Sequence, residues 1–137
     1  LITAMADIQS QSTSNPNSIA QVAAEAALSG DQTCVAEMVK AFKARHDALV
    51  ADLNTVPGVH CLAGDGTFYA FPNVEGMMAR LGCKTDLELS NLMLEKALVA
   101  VVPGSAFGAP GHLRLSFATS DKVLKGSVER MKALVAG

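Results

Sequence analysis

The sequence predicts an α+β fold of the α/β family, in which helices cover one face of a small mixed or antiparallel sheet. Two observations support this prediction. From about residue 56 onward, short segments rich in β-forming residues alternate with helical segments and are separated by glycine and proline. Before them, apolar residues recur every three or four positions over residues 31–54, which predicts one long helix. A helical first part therefore precedes a compact α+β unit.

Composition excludes several classes of protein. The chain has 137 residues, of which 50% are hydrophobic and 18% are charged, and its net charge is -2. This balance excludes a disordered chain and gives no basic surface for nucleic acid. The apolar runs are far shorter than the ~20 residues that a membrane span needs. We therefore expect neither nucleic acid nor membrane among its partners.

Two helices are predicted before the long one. Residues 1–9 carry apolar side chains at helical spacing, and a polar stretch follows them. Asn15 followed by Pro16 fits a helix N-cap with proline at the first helical position. Gly30 is placed to end the helix that begins there.

The long helix is predicted to begin after Asp31 and to continue to about Asn54. Asp31 is suited to cap its first turn, and Pro57 and Gly58 end it. The apolar stripe consists of Val35, Met38, Val39, Phe42, His46, Leu49 and Leu53. Such a helix would be about 35 Å long at 1.5 Å per residue. A helix of this length usually braces two regions of a larger body.

After Gly58 the pattern changes from helical to extended. Four strands are predicted, over residues 59–62, 67–71, 99–102 and 112–118. Thr85 and Glu88 form a capping box that opens a helix through about Leu98. Ser120 or Asp121 is suited to cap the last helix.

The last predicted strand carries an arginine on its polar face. Its apolar face consists of Leu113, Leu115 and Phe117. Arg114 lies on the other face with His112 and Ser116, and its guanidinium suits a carboxylate or a phosphate. Pairing of Arg114 with a surface Asp or Glu is the structural alternative. The preceding loop, residues 104–111, matches neither a P-loop nor a dinucleotide fingerprint, so it favours the edge of a pocket.

Two further features bear on possible chemistry. The segment Ser14-Asn15-Pro16 would present helix N–H groups to an anion, although plain helix capping explains the same residues.

The three cysteines, Cys34, Cys61 and Cys83, have no metal-ligand spacing and predict free, buried or half-buried thiols in a reducing compartment. We therefore expect no metal site.

Several segments together resemble one enzyme family. They are Gln9 to Gln21, Gly66-Thr67-Phe68-Tyr69-Ala70-Phe71-Pro72, Val101 to Gly108, and His112 to Ala118. In order and separation they are similar to segments of bacterial aspartate aminotransferases, which are class I, fold type I pyridoxal-phosphate-dependent enzymes. The resemblance covers essentially the whole chain.

The resemblance implies the C-terminal part of a longer enzyme. The expected division is the end of the large domain in residues 1–30, the interdomain helix in residues 31–55 and the small domain in residues 56–137. Arg114 would hold the α-carboxylate of the substrate. Ser14 and Asn15 would lie near the dimer interface and the active site.

The resemblance also implies chemistry that this chain does not carry. In the family, a lysine in a Ser-Lys context forms the Schiff base with pyridoxal 5'-phosphate and moves the α-proton. No lysine here follows a serine; the lysines are Lys40, Lys43, Lys84, Lys96, Lys122, Lys125 and Lys132. We therefore expect no catalytic residue in this chain, pyridoxal phosphate only in the full-length enzyme, and an inactive isolated fragment.

The implied full-length protein is a cytoplasmic, homodimeric aminotransferase. It would move an amino group between an amino acid, with aspartate favoured by overall similarity, and a 2-oxo acid. Aromatic, alanine and prephenate-type substrates remain open. The alternative is a stand-alone carboxylate-binding or regulatory module without catalysis. The sequence feature that best supports this alternative is Arg114 beside the glycine-rich loop of residues 104–111.

Overall fold

The computed structural model describes residues 1–137 and divides them into two compact units, Leu1–Glu37 and Met38–Gly137. The helices are α1 (Ile2–Thr13), α2 (Ser18–Ser29), α3 (Thr33–Leu53), α4 (Glu75–Leu81), α5 (Asp86–Leu92) and α6 (Asp121–Ala136). The strands are β1 (Tyr69–Ala70), β2 (Val102–Pro103) and β3 (Leu113–Ser116). None of the helices combines the length and the apolar character that crossing a bilayer requires.

The first unit is helical, and it differs from the sequence prediction at two helix ends. Helix α1 continues through the polar stretch to Thr13, and hydroxyls of that stretch bond to carbonyls of the preceding turn, as Thr13 Oγ1 does to Gln9 O at 2.9 Å. The N-cap of α2 is Asn17, so the prediction of Asn15 is wrong. Asn17 Oδ1 accepts the N–H groups of Ile19 and Ala20, at 2.9 and 3.3 Å.

The start and end of α3 agree with the prediction. Asp31 Oδ1 accepts the Thr33 N–H and the Thr33 hydroxyl, and these hydrogen bonds lower the pKa of the Asp31 carboxyl. The helix ends at Leu53. Cys34, in its first turn, is exposed rather than buried or half-buried, whereas Cys61 is buried and Cys83 is half-buried.

The sheet of the second unit is antiparallel, with the strand order β1-β3-β2. Tyr69 lies opposite Ser116, and Val102 lies opposite Arg114. All three strands are shorter than predicted. Pro103 is the last residue of β2, whereas the sequence predicted a strand that ends before this proline.

The strand predicted over residues 59–62 is wrong, since only His60 forms a bridge there, with Asn73. The Asn54 side chain makes the hydrogen bonds that a neighbouring strand would otherwise make. Its Oδ1 accepts the Cys61 N–H and its Nδ2 donates to the Cys61 carbonyl, each at 2.9 Å. The main chain of Cys61 is therefore satisfied without a ladder.

The helices of the second unit include one that the sequence does not predict. Helix α4 is seven residues long and ends at Gly82, whose φ of 70° closes it in the left-handed conformation. The capping box of α5 is confirmed, because Thr85 Oγ1 accepts the Glu88 N–H at 3.1 Å. A π-helical turn, Met93–Ala97, continues α5, and Leu98 ends it with a φ of 54°.

The apolar face of β3 packs into the core, as predicted. Leu113, Leu115 and Phe117 are buried. The core is completed mainly by Leu53, Val74, Met77, Leu89, Met93, Val128 and Met131. Phe117 contacts Phe42 and His46, with ring centroids 6.0 and 5.6 Å apart. Burial of one face of β3 fixes which side chains project from the other face.

Two glycines allow the chain to pass close to itself where Gly58 meets the first turn of α4. Gly58 has a φ of 85°, and a Cβ there would overlap the backbone of Gly76 and Met77. A Cβ on Gly76 would lie 2.8 Å from Gly58 Cα. The Met77 N–H donates to the Gly58 carbonyl at 2.9 Å. Position 58 therefore needs glycine for space and conformation, and position 76 needs it for space.

We predict that Gly58→Ala lowers the free energy of unfolding by more than about 3 kcal/mol, since it adds overlap to left-handed strain. Gly82→Ala is the matched control, because Gly82 has a similar φ and a Cβ added there would meet no atom within 4 Å. It should lose only about 1–2 kcal/mol. Urea denaturation of both variants measures the difference, and equal losses would show that the close approach is unimportant.

Candidate functional site

Arg114 lies at the centre of the three-stranded sheet. It is half-buried, between the buried residues Leu113 and Leu115 of β3. Because those neighbours face the core, the Arg114 side chain projects from the opposite face. The prediction that Arg114 occupies the polar face of the strand is therefore consistent with its observed burial.

The Arg114 guanidinium lies over the ring of Tyr69. The Cζ atom of Arg114 lies 4.3 Å from the centroid of that ring. Tyr69 pairs with Ser116, two residues beyond Arg114 on the same face of β3. This is the diagonal cross-strand position, which an aromatic and a long side chain can bridge.

A second ring, that of Phe107, also lies against the guanidinium. Its centroid is 4.5 Å from Arg114 Cζ. Phe107 ends the 3-10 turn Gly104–Phe107, which directly follows β2. Each contact falls within the ~6 Å range of cation–π attraction.

Main-chain hydrogen bonds hold the turn that carries Phe107. The Gly104 N–H donates to the His112 carbonyl at 2.8 Å, and the Ala109 N–H donates to the Gly104 carbonyl at 3.0 Å. A Cβ on Gly104 would overlap the carbonyl oxygens of Ala109 and His112. Glycine at position 104 therefore lets the turn close tightly beside β3.

Asp86 fixes the same turn from the helix side. Its carboxylate, in the first turn of α5, accepts the Ser105 N–H at 2.7 Å, and the residue is only 3% exposed. A buried carboxylate needs such a partner, so the contact is a strong positional constraint. Asp86 thereby ties the Phe107 turn to α5.

The guanidinium of Arg114 has no acidic partner within the chain. Arg45 pairs with Asp121, and Arg130 donates to the Ala97 carbonyl, but Arg114 takes part in none of the ion pairs. The alternative of a surface Asp or Glu paired with Arg114 is therefore wrong. No buried side-chain nitrogen or oxygen lacks a hydrogen bond, so the unpaired donors of Arg114 are open to solvent.

Ser14 and Asn15 are placed in the loop between α1 and α2, within the first unit. Both are exposed, and Ser14 has a φ of 60°, unusual for a residue other than glycine. Arg114 belongs to the second unit. No group of three or more His, Cys, Asp or Glu side chains is arranged to hold a metal ion.

Sequence reasoning missed three residues of the site: Tyr69, Phe107 and Asp86. Tyr69 had a usable signal, since its segment is predicted to be a strand and an aromatic on a neighbouring strand can reach Arg114. Phe107 and Asp86 had none. Their positions depend on a turn and a helix start that meet only in the folded unit.

Arg114 thus presents a planar cation with free donors, in contact with two aromatic rings, and this chemistry suits a carboxylate. Comparison with known proteins places this chain in an enzyme family. Residues 1–131 match the family described as Aminotransferase class I and II, and the chain belongs to it.

The similar proteins agree with that assignment. The chain is 53% identical to the aspartate/prephenate aminotransferase of Nitrosomonas europaea, over 99% of this chain and 36% of that protein. It is 49% identical to the aspartate aminotransferase of Geobacillus stearothermophilus, over 96% of this chain and 33% of that protein. The crystal structure of the aspartate aminotransferase from Rhizobium meliloti matches with a TM-score of 0.88 and 42% identity, over 98% of this chain and 35% of that one. The chain thus spans about a third of the length of these relatives.

We predict that Asp86→Ala lowers the free energy of unfolding of the second unit by about 1–3 kcal/mol, because it leaves the Ser105 N–H without its acceptor. Asp86→Asn keeps an acceptor oxygen at the same position and should lose less. Urea denaturation followed by circular dichroism measures both variants. Equal stability of Asp86→Ala and the unmodified protein would contradict the proposed role of this contact.

Proposed function

We propose that this chain supplies the substrate α-carboxylate site of an aminotransferase, with Arg114 as the binding residue. The observation that carries the proposal is the guanidinium of Arg114, which lies against two aromatic rings and has no carboxylate partner within the chain. Its N–H donors match the two oxygens of a carboxylate in a bidentate pair. Such a pair fixes both the position and the plane of the ligand.

Membership of the family supports the reaction type. Aminotransferases act on amino acids and 2-oxo acids, and both substrates carry the α-carboxylate that Arg114 would bind. Holding that group fixes the orientation of the bonds at the α-carbon, which aligns the C–H bond to be broken. The role of Arg114 in this proposal is to bind and orient the substrate. It moves no proton, because a guanidinium stays protonated at physiological pH.

Aspartate is the amino acid that the relatives favour. Two of the proteins compared above are named aspartate aminotransferases, and the Nitrosomonas europaea relative is named for aspartate and prephenate. We infer that the whole protein moves the amino group of aspartate to a 2-oxo acid. The name of the Nitrosomonas europaea relative makes prephenate the second substrate to test.

The family generally uses pyridoxal phosphate, which acts as an electron sink for amino-acid chemistry. We infer that the residues of this chain do not form a site for that cofactor by themselves. Its seven lysines lie on α3, the π-helical turn, α6 and the loop before α5, and none belongs to the strands or the turn around Arg114. We infer that the lysine, and with it the cofactor site, belongs to the rest of a longer polypeptide.

The same inference gives the other parts of the chain their roles. We propose that residues 1–30 end the large domain, that residues 31–55 form the interdomain helix and that residues 56–137 form the small domain. Ser14 and Asn15 would then lie near the active site and the interface of a homodimer, which we place in the cytoplasm. The resemblance to whole aminotransferases supports these assignments.

In the full-length enzyme, we predict that Arg114→Ala lowers kcat/KM for L-aspartate by about thirtyfold to several thousandfold, equivalent to about 2–5 kcal/mol. Arg114→Lys keeps the charge but loses the planar fork, so it should be impaired to an intermediate degree. Steady-state kinetics of both variants, with thermal unfolding to confirm that they fold, measures the effect.

Arg80→Ala is the control for loss of one positive charge. Arg80 lies exposed near the end of α4 and takes no part in an ion pair or an aromatic contact. Its removal should change kcat/KM by less than about twofold, as expected for a screened surface charge. Unchanged kinetics of Arg114→Ala would overturn the assignment of the carboxylate site.

A further inference from the structure

We propose that Tyr69 and Phe107 are positioning residues that hold the Arg114 guanidinium for a planar anion and discriminate against a tetrahedral one. The proposal rests on the function proposed for Arg114 and extends it to specificity. Its basis is the position of Arg114 Cζ, 4.3 Å from the Tyr69 ring centroid and 4.5 Å from the Phe107 ring centroid.

The two rings offset the charge of Arg114 without occupying its donors. A carboxylate partner within the chain would accept the N–H groups that a substrate needs. Ring faces instead attract the cation through their negative quadrupole and accept no strong hydrogen bond. The guanidinium is therefore stabilised in the free protein while its N–H edge stays available.

The rings also limit the direction from which an anion can approach. A guanidinium is planar, and its donors lie in that plane. With aromatic rings packed against it, the favoured approach is along the N–H edge. A carboxylate, which is planar as well, can make two parallel hydrogen bonds there. The third oxygen of a phosphonate leaves that plane and would press towards a ring.

The two rings are held by different parts of the fold. Tyr69 is fixed by strand pairing, and the Phe117 N–H donates to the Phe68 carbonyl at 2.9 Å on the same strand pair. Phe107 is fixed by its turn and, through Ser105, by Asp86. Phe107 also contacts the ring of Phe71, just after β1, at 6.3 Å between centroids. Because the main-chain supports of the two rings lie in different elements, each ring can be tested separately.

The test uses the full-length enzyme and the variants Tyr69→Leu and Phe107→Leu. Each should raise KM for L-aspartate about tenfold and change kcat by less than about threefold, because both ground state and transition state lose the same binding contact. Tyr69→Phe and Phe107→Tyr keep the rings and should keep KM within about twofold. Phe107 is 49% exposed, so its replacement removes little core packing.

Specificity is measured with two small competitive inhibitors of similar size, propionate and ethylphosphonate. The unmodified enzyme should bind propionate more tightly than ethylphosphonate. Each leucine variant should reduce the ratio of the inhibition constant of ethylphosphonate to that of propionate at least threefold. A general loss of folding would weaken both inhibitors alike. Val123→Ala serves as the control, since Val123 is also 49% exposed but lies on α6. It should change neither KM nor the ratio.

The outcomes separate the two proposals. Increased KM and a reduced inhibitor ratio in either leucine variant, restored by the ring-keeping variants, support the positioning role of that ring. If both leucine variants keep the KM and the ratio of the unmodified enzyme while Arg114→Ala raises KM, the positioning role is wrong and the carboxylate site stands. If Arg114→Ala leaves KM unchanged, both proposals are wrong.

Discussion

The contact of the Arg114 guanidinium with two aromatic rings depends on one constraint, the burial of the alternate residues of β3. Leu113, Leu115 and Phe117 pack into the core of the second unit. A shift of one residue in the register of β3 would place Arg114 in that core and its apolar neighbours in solvent. The free energy gained by burying these apolar side chains therefore determines the face of the sheet from which the Arg114 side chain projects.

The elements around β3 place two aromatic rings beside the Arg114 side chain. Antiparallel pairing brings Tyr69 to the diagonal position, and the turn after β2 brings Phe107 to the guanidinium. Asp86 and Gly104 stabilise the turn, one by a buried hydrogen bond and the other by having no side chain. A strand pair and one turn, rather than a deep cavity, thus present a planar cation with free donors. This arrangement suits the role proposed above, in which the chain would bind one end of a substrate and other parts of the enzyme would perform the chemistry.

Much of the fold could be predicted from the sequence, because strong periodic signals mark long helices and buried strand faces. The stripe from Val35 to Leu53 predicted α3, and the alternation around Arg114 predicted the buried face of β3. The failures have local physical causes. Asn54 satisfies the main chain of Cys61 and removes the need for a strand there. The Phe107 turn depends on Asp86, a contact that no short-range pattern encodes.

The open edge of the stacked Arg114 guanidinium is the proposed binding site for the substrate carboxylate, and one measurement tests it most directly. That measurement is a crystal structure of the full-length enzyme with L-aspartate or the corresponding 2-oxo acid bound. We expect both α-carboxylate oxygens to lie about 2.7–2.9 Å from guanidinium nitrogens of Arg114, coplanar with them, with the two rings still in place. A structure in which another residue holds the α-carboxylate, or in which Arg114 turns out of the stack, would contradict this role.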